Sequence, residues 1–239
     1  MSLSIVIPAH NEAQNIAKVI TSIERIVSVE HEVIIVDDHS TDSTAEVVKR
    51  MAADFKNIRL VGNDFNRGFA NALRKGFACV ESTMVVPVMA DLCDDPHTIN
   101  RMYELAYSGG YDIVCGSRYM KGGRKQGGPK LKTFFSRFVG LSLNMLIGIP
   151  TKDISNSFKL YRREVIEKTH PESDGFEISV EIPLKAYFLG YKITEIPTVW
   201  VDRKEGKSKF NVFKQCKRYL GLYLWAIKKK ITNAKKKNC

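Results

Sequence analysis

Asp91, Asp94 and Asp95 directly follow the apolar run Met84-Val-Val-Pro-Val-Met89 in this chain of 239 residues. Such a run reads as a fully buried strand. Carboxylates at the carboxyl end of a buried strand lie where open α/β sheets bind their ligands. Hard oxygen donors there suit Mg²⁺ or Mn²⁺, ions that bridge to a diphosphate. Asp95-Pro96 also has the form of a cap and first residue of a following helix. Asp95 is therefore expected to cap and Asp91 to carry chemistry. Two earlier apolar runs end similarly, residues 3–8 before Asn11 and Glu12, and residues 31–36 before Asp37 and Asp38. The first turn lacks G-x-G-x-x-G, and G-x-x-x-x-G-K-[ST] occurs nowhere, so both common phosphate cradles are absent. Carboxylates in those turns fit a base or ribose, whose N–H and hydroxyl groups they can accept.

The elements that must hold these residues follow from periodicity. Apolar spacing predicts strands near 3–8, 31–37, 58–61, 84–89 and 112–115, alternating with helices near 13–26, 43–53, 68–80 and 96–107. Ser40 or Thr41 is expected to cap the second helix. This alternation implies βαβ units, an α/β fold and a mainly parallel sheet flanked by helices. Residues 120–132 carry four glycines and five basic residues and read as a mobile loop. Helices near 133–147 and 180–189 and strands near 157–162 and 191–201 complete an α+β half. No linker separates the halves, so residues 1–209 read as one catalytic domain.

Composition narrows the function classes. The net charge is +11, yet residues 204–239 contain twelve Lys/Arg and one Glu, which accounts for all of it. A neutral body with a basic tail argues against a nucleic-acid groove and for a localised surface contact. Residues 210–231 have helical apolar spacing, but the longest uncharged run, residues 219–227, is far short of the ~20 residues needed to span a bilayer. Tyr219, Tyr223 and Trp225 beside Lys228, Lys229 and Lys230 fit a basic amphipathic segment, 210–239, on a membrane surface, or a helix covering the domain's own core. Five scattered cysteines without a C-x-x-C pair fit a reducing compartment. The N-terminus reads as a strand, not a signal peptide.

Taken in order, Pro8-Ala-His-Asn-Glu12, Val36-Asp-Asp-His-Ser-Thr-Asp-Ser-Thr44, Asn66-Arg-Gly-Phe-Ala-Asn-Ala72, Ala90-Asp91 and Gly116-Ser-Arg-Tyr119 resemble the family 2 glycosyltransferases of GT-A fold. Phe158-Lys-Leu-Tyr-Arg162 and the stretch from Gly190 through Asp202-Arg-Lys-Glu-Gly-Lys-Ser-Lys209 extend the likeness, which is nearest to the dolichol- and polyprenyl-phosphate sugar transferases. The resemblance implies transfer of a hexosyl unit from a UDP- or GDP-linked sugar to polyprenyl or dolichyl phosphate, with inversion. It implies that Pro8, Glu12 and Asp38, with Asp37 nearby, line a nucleoside pocket, and that Asn66 and Arg67 help to hold the nucleotide. Asp91 would bind the divalent cation. Arg118, Lys132, Ser136, Arg203 and Lys209 would gather around sugar or acceptor phosphate, and Asp153 would face the reacting sugar. Two departures stand out. Met89 replaces the first Asp of the usual Asp-Ala-Asp, and Cys93 stands where Gln is common, so Asp94 or Asp95 would have to substitute or the site be weak. The transmembrane pair of some relatives is also absent, which implies peripheral attachment at the cytoplasmic face of a membrane.

A lipid phosphate acceptor is already an anion and needs no base, whereas a sugar hydroxyl does, with Asp153 as its candidate. The alternatives are a transferase acting on a glycan hydroxyl, a sugar nucleotidyltransferase, and a non-enzymatic basic binding module.

Overall fold

Alternate residues along the first strands serve two different cores. In β1 (Leu3–Ala9), Leu3, Ile5 and Ile7 pack on one face of the sheet and Val6 on the other. In β2 (His31–Asp37), Val33 and Ile35 share the first core while Ile34 and Val36 enter the second. Strands buried on both faces read as continuous apolar runs, and they are the mark of a parallel sheet covered by helices on each side. The structure, a computed structural model, describes residues 2–203 and 212–237, the side chains of 212–216 and 235–237 excepted.

The chain continues through α1 (Ile16–Ile26), α2 (Thr44–Asp54), β3 (Ile58–Gly62), α3 (Phe69–Ala78), β4 (Met84–Pro87), α4 (His97–Ser108) and β5 (Ile113–Ser117). The second half adds β6 (Arg124–Gln126), α5 (Lys130–Ile147), β7 (Lys159–Arg162), α6 (Arg163–Thr169), α7 (Ile178–Leu189), β8 (Ile193–Pro197), β9 (Val199–Val201) and α8 (Val212–Lys237). The main sheet has the order β3-β2-β1-β4-β7-β5-β8. All its pairs are parallel except those of β7, which runs against both β4 and β5. One face carries α1, α2 and α4; the other carries α3, α5, α7 and α8.

Several local expectations shift for physical reasons. α1 starts at Ile16 because the Glu12 carbonyl first accepts the Asn15 and Ile16 amides in a tight turn. Asp42, rather than Ser40 or Thr41, accepts the Thr44 amide at 3.0 Å at the start of α2. Ser40 and Thr41 instead bind Asn11, tying the turn after β1 to the turn after β2. The predicted strand at 191–201 divides at Pro197-Thr198. β8 stays in the main sheet beside β5, while β9 leaves it to pair with β6. The glycine-rich stretch expected as a mobile loop therefore contains a strand, and α5 begins at Lys130 immediately after Pro129.

α8 covers the second core with Tyr219, Leu222, Tyr223, Ala226 and Ile227, so the core-covering role holds for one of its faces. Among the described residues no helix is long and apolar enough to cross a membrane. The expected boundary after residue 209, together with Lys204, Lys207 and Lys209, lies outside the described residues.

Candidate functional site

Strand order reverses between β1 and β4, and in open α/β sheets the crevice at that reversal is the ligand site. A cavity of about 970 Å³ opens there, lined by Pro8, Glu12, Asp38, Arg67, Met89, Asp91, Arg118, Lys132, Ser136 and Arg203, among others. Three of the turns at its floor hold a non-glycine residue in the left-handed region: Asn11 at φ 55°, His39 at φ 58° and Leu92 at φ 61°. Asn accommodates this conformation readily, and Leu92 does so at a cost in backbone strain of the kind that collects at functional sites.

One end of the cavity is built from the turns after β1 and β2. Asp38 accepts the Asn63 amide nitrogen at 2.7 Å and the Gly68 backbone N–H at 3.0 Å, fixing the segment that carries Arg67. Glu12 accepts from Asn15 Nδ2 at 3.1 Å, and the Glu12 amide donates to Thr44 Oγ1 at 2.9 Å. Asp37 and Asn66 do not line the cavity. The Asp37 carboxylate accepts the Ser40 amide, and the Asn66 carbonyl accepts Asn71 Nδ2. His10 also lines the cavity, with Nδ1 2.8 Å from the Asp38 carbonyl. Phe69 and Phe176 stack at 4.6 Å on the same wall.

The Asp91 loop is held by the β6–β9 ribbon. Val201 N donates to the Cys93 carbonyl at 3.1 Å, Asp202 N donates to the Gln126 carbonyl at 2.8 Å, and Asp94 bridges to Trp200. This ribbon carries Arg203 to the cavity, where its Nη2 lies 2.6 Å from Asp91 Oδ2 and its Nη1 3.9 Å from Glu12 Oε1. Lys125 sits over the Trp200 ring at 4.9 Å and donates to Thr133 Oγ1.

Asp95 caps α4, accepting the His97 amide at 3.1 Å, and Asp94 accepts the Met89 amide at 3.4 Å. Neither lines the cavity. Among the described residues no group of three or more His, Cys, Asp or Glu side chains is placed to hold a metal. Asp91 is thus the single hard donor of this loop that faces the cavity, beside the soft thioether of Met89.

Enclosure of Asp94, and then the negative charge of Asp91, pushes its carboxyl up to about 7. The folded chain therefore binds this proton between about pH 4 and 7 while the unfolded chain has released it. That contribution to stability is lost as pH rises through this window. Asp94→Asn removes the penalty. It is expected to raise the melting temperature at pH 8 by roughly 5 °C and to change it little at pH 4, measured without metal. Equal shifts at both pH values would contradict the assignment.

Behind the opposite wall lies an ion pair with no solvent contact on one side. Asp153 is 0% exposed; it accepts Arg118 Nε at 2.7 Å, Arg118 Nη2 at 2.8 Å and the Arg118 amide at 2.9 Å. Burial alone would lower the proton affinity of Arg118, but the Asp153 carboxylate outweighs it and holds the guanidinium firmly charged. Both Asp153 oxygens are committed, so its expected place facing the sugar as a base is corrected: it orients Arg118. Ser136 Oγ lies 3.2 Å from Arg118 Nη2, 3.1 Å from Tyr119 Oη and 2.6 Å from Ser155 Oγ. Gly140 allows α5 to approach this loop, since a Cβ there would collide with the Lys152 carbonyl. Lys159, fully buried, closes the loop from below by donating to the carbonyls of Ile154, Asn156 and Ser179; burial lowers its ammonium to about 8. Lys132 is also lowered, first by burial and then by the cavity-lining cations Arg118, Lys125 and Arg203.

Lys125, Trp200, Ser155 and Lys159 were not singled out in the sequence. Lys125 fell in the stretch read as a loop, and Lys159 reads as an ordinary strand residue. The signal that finds them is tertiary.

Comparison with known proteins gives this geometry a relationship. The chain is 28% identical over 233 residues to dolichol-phosphate mannosyltransferase of Pyrococcus furiosus, covering 94% of this chain and 64% of that protein. It thus spans less than two thirds of that relative. It is 26% identical over 219 residues to polyprenol monophosphomannose synthase of Mycolicibacterium smegmatis, covering 87% of this chain and 80% of that one. In structure it resembles glucosyl-3-phosphoglycerate synthase of Mycobacterium tuberculosis, crystallised with Mn²⁺, UDP-glucose and phosphoglyceric acid. That likeness has a TM-score of 0.70 at 19% identity, covers 95% of this chain and 79% of that one, and shows a shared GT-A fold. The sequence profile of glycosyl transferase family 2 matches residues 4–169. With more than half of its length matched, the chain belongs to glycosyl transferase family 2.

Proposed function

We propose that this chain transfers one hexosyl unit from a nucleoside diphosphate sugar to a polyprenyl phosphate held at the cytoplasmic face of a membrane, with inversion at the anomeric carbon. The observation that carries the reading is the two-ended cavity. Carboxylates Glu12 and Asp38 occupy one end, Asp91 with Arg203 lies between, and Arg118 and Lys132 meet an apolar wall of Phe135, Phe138 and Leu220 at the other. Names of the relatives, which include dolichol- and polyprenol-phosphate mannose transfer, support the same acceptor.

In this reading Glu12 and Asp38 accept from base or ribose. Arg203 and Lys132 take the diphosphate oxygens, and Arg118, aimed by Asp153 and Ser136, takes the acceptor phosphate, to which its planar donors are matched. A phosphate oxygen of the acceptor forms a bond to the anomeric carbon as the bond to the diphosphate breaks, and the leaving diphosphate keeps the electron pair. The acceptor is already anionic, so no general base is needed, which agrees with the commitment of Asp153 to Arg118. Mg²⁺ or Mn²⁺ fits as an ion held by Asp91 together with the diphosphate and water, since Mg²⁺ is often bound by one or two carboxylates plus substrate phosphates. When bound it would supply charge neutralisation for the leaving group.

The test is incubation of the full chain with UDP- and GDP-linked glucose and mannose and either polyprenyl phosphate or a soluble glycan. Sugar transferred to the lipid phosphate from one donor is the expected result. Transfer to the glycan alone, or to neither, would reject this acceptor.

A further inference from the structure

Four carboxylates line the cavity, and three of them are already engaged. Asp38 accepts from Asn63 and Gly68, Asp91 from Arg203, and Glu12 from Asn15. The fourth, Asp202, gives the β6–β9 ribbon its backbone amide, which donates to the Gln126 carbonyl. Among the described residues its carboxylate meets no hydrogen-bond donor. Trp200, two residues earlier, lines the cavity as well, as the period of a strand requires. Val201 between them is 39% exposed and lies off the cavity. Lys125 is the register partner of Trp200, and its ammonium sits over the indole at 4.9 Å. The two glycines of the ribbon turn make room for both side chains. They are left-handed, at φ 79° for Gly127 and 78° for Gly128. A Cβ on Gly127 would stand 2.9 Å from Asp202 Cβ, and one on Gly128 3.4 Å from the Trp200 ring.

We propose that Trp200 and Asp202 form the subsite for the hexosyl ring of the donor, with the indole as a platform for pyranose C–H groups and the carboxylate as acceptor for its hydroxyls. The subsite rests on the nucleotide-sugar reading above and supplies contacts for the hexose, the one part of the donor not yet held. Place and chemistry select this ligand. Arg203 follows Asp202 directly and meets Asp91 where that reading puts the diphosphate, so β9 delivers both side chains beside the leaving group. Toward the acceptor end, Lys125 links the ribbon to Arg118: burial first and then Arg118 lower its ammonium, against which Asp202 holds it up. The hexose has to bridge these ends, because its anomeric carbon is attacked from the acceptor side as the diphosphate leaves. A pyranose carries hydroxyls around its rim and C–H groups on its faces. A carboxylate with unfilled lone pairs takes O–H donors in short, charge-assisted bonds. The face of an aromatic ring is partly negative and suits slightly positive C–H groups. A nucleobase would stack too, but in that reading Glu12 and Asp38 hold it away from Arg118.

The chain has two tryptophans, so Trp225→Phe leaves Trp200 as the one indole that reports. The test titrates this full-length variant by fluorescence with UDP, GDP, UDP-glucose and GDP-mannose, in Mn²⁺ and without acceptor. The sugar conjugate that binds should change Trp200 emission beyond what its free diphosphate does. Calorimetry with the same four ligands then separates the hexose from the rest of the donor. Trp200→Leu and Asp202→Asn should each weaken the sugar conjugate about tenfold and leave the free diphosphate within about twofold of wild type. Retained diphosphate binding shows that both variants are folded. Trp200→Phe, which keeps an aromatic face, should recover most of the lost affinity. Equal losses for the diphosphate and its sugar conjugate would assign the two residues to phosphate or metal and overturn the proposal. Wild-type affinity for the sugar conjugate in both variants would overturn it as well. In either case binding of one nucleotide sugar by the wild type keeps the donor reading intact. A wild type that binds none of the four removes that reading and the subsite with it.

Discussion

Asp153→Ala is expected to destabilise the fold by roughly 3–5 kcal/mol, because it strands the Arg118 guanidinium in a buried site without its counter-charge. Arg118 gives Asp153 its Nε, its Nη2 and its backbone amide, and the Asp153 side chain has no exposed surface. The Asp153 side of the pair is closed to solvent, so water does not reach the vacated carboxylate site without a rearrangement of the loop. For a chain of this length the melting temperature should fall by roughly 10 °C. Denaturant unfolding should show the midpoint lowered at unchanged slope. The double variant Arg118→Met/Asp153→Leu separates the structural from the chemical role. It removes both charges at once, and well-packed apolar replacements of buried ion pairs are often neutral or stabilising. Its stability should therefore return most of the way to wild type, while sugar transfer stays depressed by about 10²–10³-fold, the usual cost of losing one preorganised charge donor. An Asp153→Ala chain as stable as wild type would show that the pair is not held as described. Recovery of activity in the double variant would remove Arg118 from the chemistry.

Asp91→Ala is expected to change the metal dependence of diphosphate binding, beyond weakening it. Asp91 holds Arg203 at 2.6 Å, so in the proposed reading the carboxylate both offers an oxygen to the cation and competes with the diphosphate for this arginine. Removing it takes away the one cavity-facing hard donor of the loop and releases Arg203 to the diphosphate. With Mn²⁺ or Mg²⁺ present, titration calorimetry should show affinity for the nucleoside diphosphate reduced by about tenfold to a hundredfold. With chelator the variant should bind at least as well as the wild type, since a freed guanidinium is a good phosphate partner. The two curves should therefore cross as metal is added. Transfer should drop by about 10²–10³-fold, because charge developing on the leaving group loses its support. A variant that keeps the full wild-type response to metal would mean that Asp91 is not the donor.

Local pattern is enough to specify the parallel half of the fold and the turns at its strand ends. Residues 31–37 were read as a strand from local pattern alone and are β2. The same pattern put Glu12, Asp38 and Asp91 after buried strands, and all three line the cavity. Hydrophobic period is a short-range property, and a strand's carboxyl end fixes where the next polar residues emerge, so neither needs knowledge of partners far along the chain.

The pairings across distance are not legible in that local pattern. Arg118 and Asp153 are 35 positions apart, and Arg203 and Asp91 are 112 apart. Their meeting depends on strand order, on β9 leaving the main sheet after Pro197, and on β6 receiving it. No periodicity carries that information. Exposure was equally hidden: Phe134 and Phe138 have the spacing of core residues, and only the packing of the described residues around α5 distinguishes a buried stripe from one that faces outward. Whether a carboxylate serves as a base or as the counter-ion of a buried arginine is settled by what stands beside it, and neighbours across a fold are set by topology rather than by local sequence.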